Sequence, residues 1–502
     1  MSVYISTRSI PSNAELRVDK YLDGEPVKTE GLAARPENAL RMTRPGGHDV
    51  VDFAHILLGN LGPDGGLWMP ARWPKFDPRR LDDLSRSSYV EFAFTVLAEF
   101  AGDRFATEEL RADVTAAYAS FDHPEIAPVV ELESGLYLLE LFHGPTLAFK
   151  DIAMQLLARL MSRELARRSA RATILVATSG DTGSAAIAAF GGLPRIEVFV
   201  LHPKGRVSMV QQRQMTTSTH ANVHNIALEG TFDDAQALVK ILFADHAFAA
   251  ANALTAVNSI NFVRIVAQSV YYFTTAAKFG RSARFVVPTG NFGDVFAGES
   301  AARMGVPIAG LVAATNANDI LARALNNGVY AVHDSQATLS PSMDIQVASN
   351  FERALFEASN RNADWLAVAM ETFARERKLE IPPDLLSALR MRYQGESVSD
   401  HETLETIAET YSRYGKLIDP HTAVGLAAAK RLRKDDETPT VVLATAHPAK
   451  FPETVARATG MVPPLPLRLQ QSYLEPERVT VLPSDANRLR DFIETRTAAH
   501  ER

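Results

Sequence analysis

The chain reads as an α/β protein built on mostly parallel sheets with flanking helices, preceded by a small N-terminal domain. Two observations predict this. From about residue 134, short apolar runs end in Gly/Ser/Thr/Asn turns, and each turn opens a segment with three- and four-residue apolar spacing. ATILVATSGDTGSAAIAAFG (172–191), RFVVPTGNFGDVFAGESAARMG (284–305), GLVAATNANDILARALNNG (310–328) and PTVVLATAHPAKFPETVARATG (439–460) all have this build. Strands alternating with helices imply βαβ units and right-handed crossovers. By contrast, residues 11–49 are polar and broken by proline and glycine, so they read as loops with one hairpin at most.

Along the chain, residues 1–105 form the expected N-terminal domain, with 11–47 as a polar insertion and a helix over 92–101. Residues 106–462 form an α/β core of two lobes, largely helical between 340 and 435, and 463–502 a C-terminal segment. With 502 residues, 46% apolar and 22% charged, the core is ample. A net charge of −7 without a Lys/Arg block argues against a nucleic-acid surface. No apolar run reaches the length of a membrane span, and the N-terminus lacks the charged start and apolar stretch of a secretory signal. With no cysteine, disulfides, thiolate catalysis and thiolate metal sites are all excluded, and the 13 histidines show no HExxH spacing. A cytoplasmic enzyme without a metal is the expectation.

The stretch LFHGPTLAFKD (141–151) places a lysine in an unusual setting. GLYLLEL before it reads as a buried strand and HGPT as a turn. Phe149, Ile152, Ala153, Leu156, Leu157, Leu160 and Met161 then repeat at helical spacing. Lys150 therefore falls in the first turn of a helix. There the helix dipole and apolar neighbours both disfavour an ammonium, and a deprotonated lysine is a nucleophile and Schiff-base former. A lysine whose stem packs on the helix while its head reaches water explains the local pattern too.

Ligands in such sheets bind beyond the carboxyl ends of the strands. PTGNFGD (288–294) offers two glycines before a helix, where backbone N–H groups approach an anion closely, with Asp294 as the helix cap. In TSGDTGSA (178–185), Ser179, Thr182 and the N–H groups around Gly180 and Gly183 suit a carboxylate. TAHPAKF (445–451) sets the Thr445 hydroxyl directly after a strand. A capped strand-to-helix turn accounts for each loop taken alone.

In this order, FHGPTLAFKD, TSGDTGSA, NSIN, GNFGD, SMDI…SNFER, DPHTAVG and TAHPAKF resemble threonine synthases. These are pyridoxal-phosphate enzymes of the tryptophan-synthase-β type (fold type II). The resemblance runs from GPDGGLWMP at 62 to the C-terminus. It implies pyridoxal 5'-phosphate held by Lys150 as a Schiff base. It implies Gly290, Asn291, Phe292, Gly293 and Asp294 at the cofactor phosphate, and Thr445 as the neutral partner of the pyridine nitrogen. The implied reaction takes O-phospho-L-homoserine and water to L-threonine and phosphate. Lys150 would be displaced by the substrate amine and then act as base and acid at Cα and Cβ. Thr178, Ser179, Gly180, Asp181 and Thr182 would line the substrate carboxylate.

A leaving phosphate needs cations. A fixed guanidinium fork ranks Arg264 first, with Lys204 and Arg206 of HPKGR behind it and Asn258, Ser259 and Asn261 as neutral neighbours. The expected partner is the small substrate alone, in a monomer or homodimer. The same residues also fit a dehydratase or β/γ-substitution enzyme using the same cofactor. Three features depart from the family's pattern: the 11–47 stretch, the lead into Asp-Gly-Gly, and Glu299 where an aromatic residue is expected. All three read as changes at the surface.

Overall fold

A computed structural model describes residues 2–9, 42–43, 49–59, 61–433 and 437–497. Two sheets dominate. The larger has six strands in the order Tyr393–Ser397, Ile308–Thr315, Ala283–Pro288, Thr440–Ala444, Leu136–Glu140 and Val129–Glu133. All its neighbours are parallel except the last pair, a hairpin. The smaller sheet is wholly parallel, in the order Leu254–Thr255, Ala172–Ala177, Ile196–Pro203, Val223–Glu229 and Thr480–Pro483. Its last strand comes from the expected C-terminal segment.

Side-chain alternation assigns the faces. In the smaller sheet, Ile174, Val176, Val198 and Val200 enter one large core shared with Phe285, Val287, Leu311 and Leu443 of the larger sheet. Leu175, Phe199 and Leu201 point the other way, onto Leu238, Leu242, Leu489 and Ile493. Val286 and Val442 likewise face outward onto Val424 and Leu426. The helices Lys150–Arg168 and Phe262–Phe279 lie in the shared core and are buried on most sides. Apolar burial at roughly 25 cal/mol per Å2 is thus concentrated where the two lobes meet.

At the N-terminus, Tyr4–Ser6 pairs with Trp68–Pro70, and the Tyr4 hydroxyl donates to Phe100 O at 2.6 Å. The helix expected over 92–101 spans Tyr89–Ala101 and is capped by Ser88. Met42–Thr43 pairs with Asp49–Val50; the rest of the expected 11–47 insertion lies outside the described residues.

Glu299 corrects one expectation. It is not a surface change but is buried on the helix Gly293–Met304, 2.7 Å from Arg303, which also bridges to Glu357 at 2.9 Å. A glutamate is tolerated there because an arginine one turn on compensates its charge. Among the described residues, no helix is long and apolar enough to cross a membrane.

Candidate active site

Lys150 opens its helix as the sequence predicts. The turn before it is built by Asp151, whose carboxylate accepts from Thr146 N at 2.8 Å and Thr146 Oγ1 at 2.7 Å. Gly144 is required there, because a Cβ would stand 2.5 Å from the Asp151 Cβ. Phe149 N donates to Thr445 O at 2.8 Å, which stitches the lysine's loop to the end of the strand Thr440–Ala444. Lys150 and Thr445 are thereby neighbours across almost 300 residues of chain.

The Lys150 amine faces Asp181, Nζ to Oδ2 at 3.2 Å. Asp181 opens the helix Asp181–Phe190 and is clamped from several sides. Lys450 Nζ lies 2.9 Å from Oδ1, Gln211 Nε2 donates to Oδ1 at 2.9 Å, and Ser342 Oγ donates to Oδ2 at 3.2 Å. Burial alone would raise the Asp181 carboxyl, but the two ammonium groups outweigh it and hold it well below the usual carboxylate range. Burial pushes the Lys150 amine down; Asp181 opposes that shift, while the charges of Lys450 and Arg264 reinforce it. Behind Ser342, its backbone N–H donates to His421 Nε2 at 3.2 Å, and His421 Nδ1 lies 2.7 Å from Asp419 Oδ2. Accepting at Nε2 requires the imidazole to carry its proton on Nδ1.

The TSGDTG loop differs from its expected form. Thr178 Oγ1 accepts from Gly180 N at 2.9 Å and Gly183 N at 3.0 Å, so those two N–H groups are already used. Gly180 takes φ +139, a conformation that favours glycine. The N–H groups of Asp181 and Thr182 remain for an anion. The Asp181 side chain, expected among the groups lining the substrate carboxylate, instead carries negative charge toward the lysines.

The GNFG loop is the opposite case. Phe292 sits at φ 62 and packs its ring on Phe351 and Tyr393, with centroids 5.3 and 5.2 Å away. Asn350 holds the loop's outer side: its N and Nδ2 both donate to Asn291 O at 3.1 Å, and Nδ2 also reaches Ser259 O. Arg353 in turn bonds Asn350, Trp68 O and Ile260 O. A Cβ on Gly290 would come within 2.8 Å of Ser342 O. Asp294 is not the helix cap: it lies inside the first turn, and its carboxylate takes the Tyr271 hydroxyl and, at 3.2 Å, the Tyr272 hydroxyl. Among the described residues, nothing accepts from the N–H groups of Asn291, Gly293 or Asp294.

Of the expected cations, only Arg264 is buried. Its Nη1 donates to Val257 O at 3.0 Å, its Nε has no partner, and burial lowers it to about 10. Lys204 and Arg206 are turned to solvent, Lys204 3.6 Å from Glu229, and they decorate a strand end. Asn258 is exposed, its Oδ1 accepting from Ile260 N. Asn261 caps the helix Phe262–Phe279, and its donors go to Ile56 O and Leu57 O, so it is not a free donor. Sequence reasoning missed Lys450, Gln211, Ser342 and His421. For Lys450 a signal was present, since it shares the TAHPAKF strand-end loop with Thr445.

A phosphate-bearing aldehyde fits this arrangement. Its carbonyl needs an amine that gives up its proton, which Lys150 supplies, and its phosphate needs bare N–H groups at a helix start, which GNFG supplies. Fold and site together define the class of pyridoxal-phosphate-dependent enzymes, and residues 122–383 match the family model "Pyridoxal-phosphate dependent enzyme". On either side, residues 41–118 match "Threonine synthase N terminus" and residues 422–493 match "Threonine synthase, C-terminal". Threonine synthase of Pseudomonas aeruginosa is 45% identical over 448 residues, covering 88% of this chain and 96% of that one. The crystal structure of pyridoxal-phosphate-bound threonine synthase from Brucella melitensis superposes with a TM-score of 0.89 at 43% identity, covering 99% of this chain and 100% of that one. That of yeast threonine synthase superposes at 0.86 and 34%, covering 92% and 98%. The chain belongs to the threonine synthase family.

Proposed function

We propose that this chain converts O-phospho-L-homoserine and water to L-threonine and phosphate, by γ-elimination followed by addition of water at Cβ. The observation that carries this is one buried site in which the Lys150 amine faces an anionic Asp181 and the Arg264 Nε is left without a partner. Pyridoxal phosphate, when bound, supplies the electron sink for carbanion chemistry. Lys150 would hold its carbonyl carbon, and the N–H groups of Asn291, Gly293 and Asp294, with Gly290 for close approach, would hold its phosphate. Thr445 would offer the pyridine nitrogen a hydroxyl in place of a carboxylate, a partner that would leave the nitrogen unprotonated.

As a free amine, Lys150 Nζ would take a proton from Cα and one from Cβ, give one to Cγ once phosphate has left, and give one to Cα once water has added at Cβ. The N–H groups of Asp181 and Thr182, with Ser179, receive the substrate carboxylate. Arg264 Nε donates to the γ-phosphate before and after the C–O bond breaks. We place the reaction in the cytoplasm, in a monomer or homodimer.

The test is incubation of purified protein and pyridoxal phosphate with O-phospho-L-homoserine. Threonine and inorganic phosphate are expected in equal amounts; a 2-oxo acid in place of threonine would overturn the assignment.

A further inference from the structure

The second buried lysine is not used by the steps above. Lys450 ends the short turn Pro448–Lys450, and its side chain is 0% exposed. Its Nζ is fixed from two directions, 2.9 Å from Asp181 Oδ1 and donating at 2.8 Å to Thr146 O. Thr146 is the residue that Asp151 holds in the turn leading to Lys150. The ammonium therefore sits between the loop that carries the reacting lysine and the carboxylate that faces it.

We propose that Lys450 is a positioning residue for Lys150, clamping Asp181 so that its carboxylate stays compensated when Lys150 gives up its charge. Attack on a carbonyl requires Lys150 as a free amine. With two lysines on one carboxylate, the loss of one proton leaves a neutral Asp181–Lys450 pair. With Lys150 as the only cation on Asp181, the same loss would strand a buried anion, and the ion pair would keep Lys150 protonated. Like charge acts in the same sense, since an ammonium beside another disfavours it.

The groups facing this cluster come from five elements. Asp181 comes from its own helix start, Lys150 and Asp151 from the helix they open, and Arg264 from the helix Phe262–Phe279. His421 with Asp419 comes from the start of Pro420–Leu432, and His447 from the loop of Lys450 itself. Of these, only Asp181 is both anionic and within ion-pair distance of Lys150.

The inference rests on Lys150 being the cofactor lysine. Full-length protein stripped of cofactor is mixed with pyridoxal phosphate across a pH series, and uptake is followed by absorbance beside the pH profile of turnover. For Lys450→Met, uptake near neutral pH is expected to slow by about tenfold, with the acid limb of both profiles moved to higher pH. Lys450→Arg, which keeps the charge, is expected to hold the acid limb near the wild-type position. The double variant Lys450→Met/Asp181→Asn removes the anion as well, so its acid limb should lie at or below that of the wild type. A folded Lys450→Met whose uptake profile overlays the wild type overturns the proposal. If Lys450→Met does not fold, a double variant with its acid limb above the wild type does the same. Failure of borohydride to attach the cofactor to Lys150 in the wild type would instead defeat the proposed function.

Discussion

The loops TSGDTG and GNFGD share one local build, a parallel strand running through glycines into a helix with an aspartate in its first turn, yet they carry opposite electrostatics. In the first, Asp181 meets two ammonium groups and a glutamine amide and is ionised. In the second, Asp294 meets only tyrosine hydroxyls and its Oδ2 has no partner, so burial raises its carboxyl to about 7. The first loop spends its glycine N–H groups on Thr178, whereas the second leaves its N–H groups bare. One loop brings a negative charge to an amine, and the other keeps negative charge away from a helix start. Partners supplied by distant parts of the chain decide which.

The largest effect separating the two loops comes from removing what the first one faces. Lys150→Ala is expected to lower threonine formation by about a thousandfold or more, the scale of losing a nucleophile that is also the acid–base group. Peptide mapping after borohydride reduction should find the cofactor on Lys150 in the wild type and on no residue in the variant. Arg264→Ala is expected to lower turnover by about a hundredfold, as for loss of a charge-assisted donor in the transition state, with the cofactor's absorption unchanged. Wild-type turnover in this variant would separate Arg264 from the leaving phosphate.

Gly290→Val breaks the second loop. Its Cβ meets Ser342 O at 2.8 Å, so the loop must shift, and cofactor affinity measured by titration is expected to fall at least about tenfold. Thr178→Val breaks the first: two N–H groups lose their acceptor, and denaturant unfolding should show a loss of about 1–2 kcal/mol.

The smallest effect is a slope. Because the Asp294 carboxyl lies near 7 in the folded chain and near about 4 unfolded, the folded state keeps a proton that the unfolded chain releases. Stability contributed by that proton is full below pH 4 and lost as pH rises toward 7. Asp294→Asn should flatten that part of the stability profile; an unchanged profile would mean that the Asp294 carboxyl titrates alike in the folded and unfolded chain.

What the sequence made legible follows from the range of each interaction. Strand, turn and helix alternate with local periodicities, so the sheets, the helical placement of Lys150 and the strand-end position of Thr445 were readable. The pattern GNFGD points to Asp294 as a cap; it is not one, because Phe292 takes a left-handed conformation and sinks its ring among Phe351 and Tyr393, both distant in sequence. TSGDTG alone places Asp181 beside an anion; the lysine that fixes it lies some 270 residues away, in a loop that only parallel-strand packing brings near. Glu299 read as superficial because its compensation is visible only once Arg303 and Glu357 are seen buried with it. Lys204 and Arg206 carry the right charge, but nothing in HPKGR says which way a loop turns its side chains.

The strand Thr480–Pro483 closes the edge of the smaller sheet against Val223–Glu229, and roughly 250 residues separate the two. A ribosome adding about 5–20 residues per second leaves the earlier strand's backbone edge uncovered for on the order of tens of seconds. Throughout that interval the nascent lobe presents unpaired donors and acceptors beside Phe199, Leu201, Ile226 and Leu228, whose cover includes Leu489 and Ile493 from the last helix. Synthesis of this chain therefore has a long vulnerable phase that lasts until the helix Ala486–Thr497 has been made. Premature termination between 230 and 480 yields a lobe with an open, apolar-flanked edge, a template for intermolecular strand pairing.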